Sequence, residues 1–235
     1  MKPELFSYPD ATALSAAVAR RWLALVASAT AAGERHRVAL AGGRIAKDFM
    51  TAAAALAKDQ AQSLAGVDFF WGDERCVPPE HPDSNFLLAS QAMLQPLGIA
   101  SERIHRIRGE ADPALAAREA AAELRTHCPA GPHGQPILDL VLLGMGEDGH
   151  IASLFPGAPS EVVNSSATYL PVVGPKPPPQ RITLSFPAIG AARLVWVLVF
   201  GAGKENALRE SLASATATPL GRVLAGRSAT IFSAR

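Results

Sequence analysis

Asp148 and His150 stand two residues apart in a stretch that holds glycines at 144, 146 and 149. A histidine beside a carboxylate is suited to proton transfer near neutral pH, because imidazole gains and loses its proton there and the carboxylate can hold the ring. The plain alternative is a tight turn with a solvated histidine, but a turn alone does not require this pairing. Three more glycine turns carry charge: Gly42-Gly43-Arg44, Gly72-Asp73-Glu74-Arg75 and Gly201-Ala202-Gly203-Lys204. Arginine and lysine next to glycine N–H groups at helix starts suit a phosphate. Together, Arg44, Asp73, Arg75, Asp148, His150 and Lys204 would form a cationic pocket with two carboxylates and one histidine. They point to an enzyme acting on a small phosphorylated substrate.

These side chains meet only if the elements before them share a direction. Arg37–Ala41, Val67–Trp71, the run at 137–143 and Leu194–Phe200 are apolar enough to be strands buried on both faces, and each ends in one of the four turns. In an open α/β sheet, ligands bind outside the carboxyl ends of the strands. Parallel strands would therefore bring all four turns to one rim. Between them lie helical patterns. Leu14, Val18, Trp22, Leu25 and Val26 mark a helix over 11–32 that stops at Gly33, and Phe49, Leu56 and Leu64 mark another from Ile45. Ser84 can cap a helix through Leu94, and Asp112-Pro113 opens one to His127. Ile104–Ile107 is a weak strand. Residues 157–168 read as an exposed loop, Tyr169–Val173 and Arg181–Ser185 as strands, Pro187–Ala192 as a helical turn, Glu205–Leu212 as a helix and Ala229–Ser233 as a last strand. The proline run in 174–180 excludes helix and central strand. The alternation predicts an α/β fold, a single domain over 1–235 with a mostly parallel sheet and helices on both faces.

Composition narrows the class. The 235 residues are nearly half apolar, enough for a sizeable core, and the formal charge of +1 gives no reason to expect nucleic acid or an anionic membrane as partner. Cys76 and Cys128 make neither a disulfide framework nor a zinc spacing. With no apolar leader in MKPELFSYPD and no run long enough to span a bilayer, the expectation is a soluble cytoplasmic protein, a monomer or small homo-oligomer.

Gly144-Met145-Gly146-Glu147-Asp148-Gly149 also fits the G-x-G-x-x-G dinucleotide pattern. That pattern needs a full helix next and an acidic residue after the following strand. Here Pro156 cuts the helix short, and no acidic residue occurs between Glu161 and Glu205. No glycine-Lys-Ser/Thr phosphate loop is present. His81 and His105 lie outside the four turns and read as surface residues, which leaves His150 without a second metal ligand. No cofactor and no metal are therefore expected.

Several pieces together resemble the 6-phosphogluconolactonase family, within the group that shares the glucosamine-6-phosphate deaminase and ribose-5-phosphate isomerase type of fold. They are Ala41-Gly42-Gly43, Trp71–Pro78 with Asp83-Ser84-Asn85, Gly144–Pro156, Arg181-Ile182-Thr183-Leu184 and Gly201–Lys204, with GMGEDGHIASLFPG the most specific. The resemblance implies hydrolysis of the δ-lactone of 6-phosphogluconate in the pentose phosphate pathway. His150 would then be the general base, taking a proton from water and returning it to the departing ring oxygen, and Asp148 would orient it. Arg75, with Asp73 beside it, would lie in the sugar-phosphate site, where Arg181 and Lys204 share the phosphate charge. Ester chemistry agrees, since it needs a base, donors to the developing oxyanion and a charge clamp. Gly42-Gly43 or the 144–149 loop could supply those donors.

The chain departs from the family at its first turn. Ser-Gly-Gly-Ser-Thr-Pro is usual there; this chain has Ala41-Gly42-Gly43-Arg44-Ile45-Ala46. Arg44 either replaces hydroxyl contacts with a charge or faces solvent at a helix start. In the deaminase loop a glutamate lies five places after the histidine; here that place holds Phe155, which argues against ring-opening isomerisation or deamination on an amino-sugar phosphate. A non-catalytic sugar-phosphate binder would not need the histidine. Cys76, Trp71, Trp196 and Phe69 read as packed residues. Glu74 falls opposite Asp73 and Arg75 by alternation and reads as structural, and Lys176 as part of a surface loop.

Overall fold

The computed structural model describes residues 2–234. A six-stranded parallel sheet is built from β1 (Glu4–Tyr8), β2 (His36–Leu40), β3 (Val67–Trp71), β5 (Leu140–Gly144), β8 (Leu194–Phe200) and β9 (Thr230–Ala234), in the order β1-β9-β8-β5-β2-β3. Helices α1 (Ala11–Ala31), α2 (Arg44–Asp59), α4 (Pro113–His127) and α7 (Glu205–Ala213) alternate with these strands. The four strands expected to end in charged turns are neighbours in this sheet, β8-β5-β2-β3, and all run the same way. Their carboxyl ends therefore lie side by side.

A second sheet was not anticipated. It is antiparallel, of β4 (Asp73–Arg75), β7 (Gln180–Leu184) and β6 (Tyr169–Val173), in the order β4-β7-β6. The chain passes between the sheets at Gly72. Its N–H donates to Leu40 O on β2 at 2.8 Å, and its carbonyl accepts from Leu184 N on β7 at 2.8 Å. The buried Tyr169 hydroxyl donates to Trp71 O at 2.7 Å and closes the same seam. What reads in sequence as one polar turn, 72–75, is thus a joint followed by a three-residue strand.

The core follows from the apolar periodicities. Asp10 caps α1 by accepting from Ala13 N at 2.8 Å, and the helix buries Leu14, Val18, Trp22 and Val26. Trp22 packs edge-on against Phe49 of α2 and Phe69 of β3, and its indole N–H donates to the buried His36 Nε2 at 3.2 Å. Each such fully buried side chain contributes about 1.5–3 kcal/mol. Ser84 and Asp112 cap α3 (Asn85–Ala89) and α4 as expected, accepting from Leu87 N and Leu115 N. Beyond Ala89 the helix continues as a π-turn to Leu94.

Besides β4, the strand β1 and the helices α5 (Ser160–Val163) and α8 (Pro219–Gly226) went unread. The N-terminal β1 pairs with β9, its alternation being too short to stand out. In the 157–168 loop a single helical turn, α5 (Ser160–Val163), forms. Thr218-Pro219, a cap followed by a first-turn proline, opens α8 (Pro219–Gly226). The weak strand at 104–107 reduces to one bridge, Ile104 with Phe69. The helical turn read at Pro187 is α6 (Phe186–Ala191).

Candidate active site

The carboxyl ends of β2, β3, β5 and β8 border a cavity of about 430 Å³. Arg44, Asp73, Arg75, His150, Arg181 and Lys204 all line it, as do Gly42 and Gly43. Asp148 does not; it stands behind the histidine.

The loop after β5 is closed on itself. Met145 bridges Ile151, Ile151 bridges Leu154, and Gly146 N donates to His150 O at 2.9 Å. Asp148 Oδ1 accepts from His150 N at 3.1 Å and lies 2.6 Å from His150 Nδ1. A proton on Nδ1 satisfies that contact and leaves the Nε2 lone pair free. Burial alone would raise the Asp148 pKa, but the hydrogen bonds from the His150 backbone and ring bring it below the ordinary value, so this carboxyl stays ionised. A Cβ at Gly146 would fall 2.1 Å from His150 Nδ1 and 2.7 Å from Asp148 Oδ1. Only glycine lets the pair sit this close to its own backbone. Phe155 packs on the imidazole with ring centroids 4.9 Å apart, where an aromatic ring can fix orientation but cannot exchange a proton.

The cations come from both sheets. β4 and β7 place Arg75 directly opposite Arg181. Like charges across a ladder repel, and among the described residues neither guanidinium is within salt-bridge distance of a carboxylate. Arg75 Nη1 donates to Asp83 O at 2.8 Å, and its buried Nε has no partner. Arg181 is nearly buried, lies over the Phe155 ring at 5.6 Å and donates to Pro178 O and Lys176 O. Burial, then its neighbour Arg75, lowers its pKa. The proline loop is thus held by Arg181, and Lys176 is exposed, as read from the sequence. Lys204 is half-buried. Burial lowers its pKa, Glu147 opposes that shift and Arg44 adds to it. Arg44 is exposed along its chain yet borders the cavity, at the start of α2, where no side chain caps the first turn. The excess of unpaired cations over free carboxylates suits an anionic ligand.

Asp73 is not free for proton chemistry. Its Oδ2 accepts from Ser153 Oγ at 2.6 Å and its Oδ1 from Asn85 Nδ2 at 3.2 Å. Asn85, Ser153 and Glu147 were not singled out as site residues. Asn85 and Glu147 line the cavity. The cue for Asn85 was its place right after a helix cap, and for Glu147 its place in the glycine loop. Ser153 gave no cue, because its contact joins residues 80 apart.

Other expectations resolve elsewhere. Trp71, Phe69 and Trp196 are core. Burial raises the Cys76 thiol pKa, with Glu74 and Asp112 adding to it, so the thiolate is disfavoured. His81 is at the surface as expected. His105, expected there too, is packed. It stacks on Phe70 with centroids 4.6 Å apart, and its Nδ1 lies 2.7 Å from Glu123. Burial opposes protonation there, but hydrogen bonds to Asp68 and Glu123 outweigh it and raise the pKa. Asp68, His105 and His127 bring ligating atoms within 4.8 Å of one another. This group lies near the amino end of β3, and Asp68 Oδ1 already faces Arg35 and Arg103 at 3.5 and 3.2 Å. No helix is long and apolar enough to cross a membrane among the described residues.

A parallel sheet with a cationic, histidine-bearing rim defines an α/β protein with a site for a small anionic ligand. The chain belongs to the family described as glucosamine-6-phosphate isomerases/6-phosphogluconolactonase, whose pattern matches residues 9–232. Among curated relatives, a 6-phosphogluconolactonase of Streptomyces coelicolor is 37% identical over 220 residues, covering 91% of this chain and 84% of that one. One from Nostoc sp. is 39% identical over 214 residues, covering 91% and 86%. The solved 6-phosphogluconolactonase of Trypanosoma brucei superposes with a TM-score of 0.86 at 29% identity, covering 99% of this chain and 96% of that one. A monomeric glucosamine-6-phosphate deaminase shares the fold alone, at 18% identity and a TM-score of 0.84.

Proposed function

We propose that this chain, as one sugar-phosphate lactonase domain over 1–235, hydrolyses 6-phospho-D-glucono-1,5-lactone to 6-phospho-D-gluconate, serving the oxidative pentose phosphate pathway in the cytoplasm. The observation that carries the reading is the Asp148–His150 pair, 2.6 Å apart, on a cavity ringed by unpaired cations. His150 Nε2 takes a proton from water as the water oxygen attacks C1. The carbonyl electrons move onto oxygen, and N–H groups bordering the cavity stabilise that oxyanion. When the intermediate collapses, the C1–ring oxygen bond breaks and His150 returns the proton to the leaving oxygen. Asp148 holds the ring through Nδ1 and stabilises the imidazolium. Arg75, Arg181, Lys204 and Arg44 hold the phosphate, and Asp83 O keeps the Arg75 guanidinium in place. The deciding assay is turnover of the freshly generated lactone above its spontaneous hydrolysis; none above that background refutes the reading. Phe155 in place of an acid supports hydrolysis over deamination.

Two further outcomes are expected. The steps above need no metal, so EDTA should leave turnover unchanged; a large loss restored by a divalent cation would bring a metal into the mechanism. Lys204, its pKa lowered, should lose its charge below the ordinary lysine value of 10.5. The cation is present at neutral pH and is lost as pH rises through the lowered pKa. Affinity for 6-phosphogluconate, measured by calorimetry, should therefore fall before pH 10.5, and later in Lys204→Arg. An affinity unchanged up to that pH would remove Lys204 from the anion site.

A further inference from the structure

Glu74 is the one carboxylate of the 72–75 segment that faces away from the cavity, and it is 2% exposed. Four donors converge on it. Its Oε1 accepts from Arg75 N at 2.8 Å and Asn85 N at 2.7 Å, and its Oε2 from Phe86 N at 2.8 Å and Ser84 Oγ at 3.1 Å. One carboxylate thereby joins β4 to the start of α3 across the proline-rich loop between them. Both ends of that closure border the cavity. One end is Arg75, whose guanidinium donates to Asp83 O within the same loop. The other is Asn85, itself 2% exposed, whose Nδ2 donates to Asp73 O at 2.9 Å and to Asp73 Oδ1 at 3.2 Å. The Asn85 amide also lies against the first glycine turn: a Cβ at Gly42 would fall 1.9 Å from Asn85 Oδ1. Arg75, Asp73, Asn85 and Gly42 therefore share one support.

We infer that Glu74 is a positioning residue: through Asn85 and the Arg75 backbone it sets the distance between the Arg75 guanidinium and the Gly42-Gly43 turn, and so fixes how the substrate's anionic end is held relative to its carbonyl. The inference rests on the lactonase reading and deepens it. A three-residue strand cannot fix an arginine by its ladder alone. Burial, ahead of the opposing hydrogen bonds, raises the Glu74 pKa, a desolvation cost accepted at a site that exchanges no proton with substrate. In Glu74→Gln an NH₂ replaces one oxygen and meets donors instead of accepting them. In Glu74→Asp the charge remains but the reach shortens by one methylene.

The test is steady-state kinetics of both variants on the phosphorylated lactone and on unphosphorylated gluconolactone, with folding followed by circular dichroism. Both variants should raise KM for the phosphorylated lactone by roughly 10- to 100-fold, as expected for a misplaced binding group, with kcat changed far less. The preference for the phosphorylated over the plain lactone should shrink. A purely structural role would lower kcat on both lactones alike with KM unchanged, and that result overturns the inference, as does an unchanged KM in a folded variant. Recovery of parental KM by Glu74→Asp would overturn it too, since charge alone would then suffice. Should the Glu74 variants fail to fold, Ser84→Ala, which removes one donor to Glu74 and changes no side chain of the cavity, decides by the same readout. A parent protein inactive on the phosphorylated lactone would instead overturn the functional reading itself.

Discussion

His150→Ala should lower turnover of 6-phosphogluconolactone by roughly 10²–10⁴-fold, the range for losing a positioned general base. The substitution removes both the Nε2 lone pair and the group that returns a proton to the ring oxygen, so kcat should carry the loss. Binding of 6-phosphogluconate should change little, because the cations that meet the phosphate lie on other elements. Product affinity by calorimetry separates the two effects. The side chain is partly exposed and its backbone bond to Gly146 does not need the ring, so the variant should fold. Near-parental turnover, measured above the spontaneous rate, would take His150 out of the mechanism. Asp148→Asn should lie between the two enzymes. It keeps a polar partner at 2.6 Å but loses the charge that stabilises imidazolium, and its amide can present a donor that turns the ring to the wrong tautomer.

Arg75→Ala should act on the other half of the reaction. Removing a guanidinium that donates charge-assisted hydrogen bonds to an anion costs about 1.5–3 kcal/mol, which is roughly 10- to 100-fold in KM for the phosphorylated lactone. Turnover of unphosphorylated gluconolactone should be nearly unaffected, since it has no phosphate to lose. An equal effect on both lactones would refute a phosphate contact by Arg75. Arg181→Ala is a less clean probe, because Arg181 also ties down the proline loop through Pro178 O and Lys176 O.

The sequence made the large sheet legible because its strands are continuous apolar runs and each ends in glycine. That was enough to bring Arg44, Asp73, Arg75, His150 and Lys204 to one cavity, whereas Arg181, on the small sheet, was named only through the family resemblance. Arg44 borders that cavity with its side chain solvent-exposed. The small sheet was not legible. β4 is three residues long, too short for alternation to register, and its pairing with β7 joins residues more than a hundred positions apart. Ser153 on Asp73 and Tyr169 on Trp71 O are contacts of the same kind, set by tertiary placement and carrying no local signature. His105 was misread as a surface residue for a related reason: the carboxylates that hold it, Asp68 and Glu123, lie on β3 and α4. Glu74 was placed on the correct side by alternation, but its four donors come mostly from the far end of a proline loop.

The joint at Gly72 divides labour between two frameworks. His150 hangs from the parallel sheet, whereas Arg75 and Arg181 belong to the antiparallel one, and Gly72, bonded to both at Leu40 O and Leu184 N, sets their relation together with the Tyr169–Trp71 and Ser153–Asp73 bonds. On the proposed reading, the base and two of the four cations therefore rest on different frameworks, with Arg44 and Lys204 on the same framework as the base. Substitutions on the small sheet can retune which charged group is accepted without disturbing the base, while the small sheet's seating on the large one stays under tight geometric constraint.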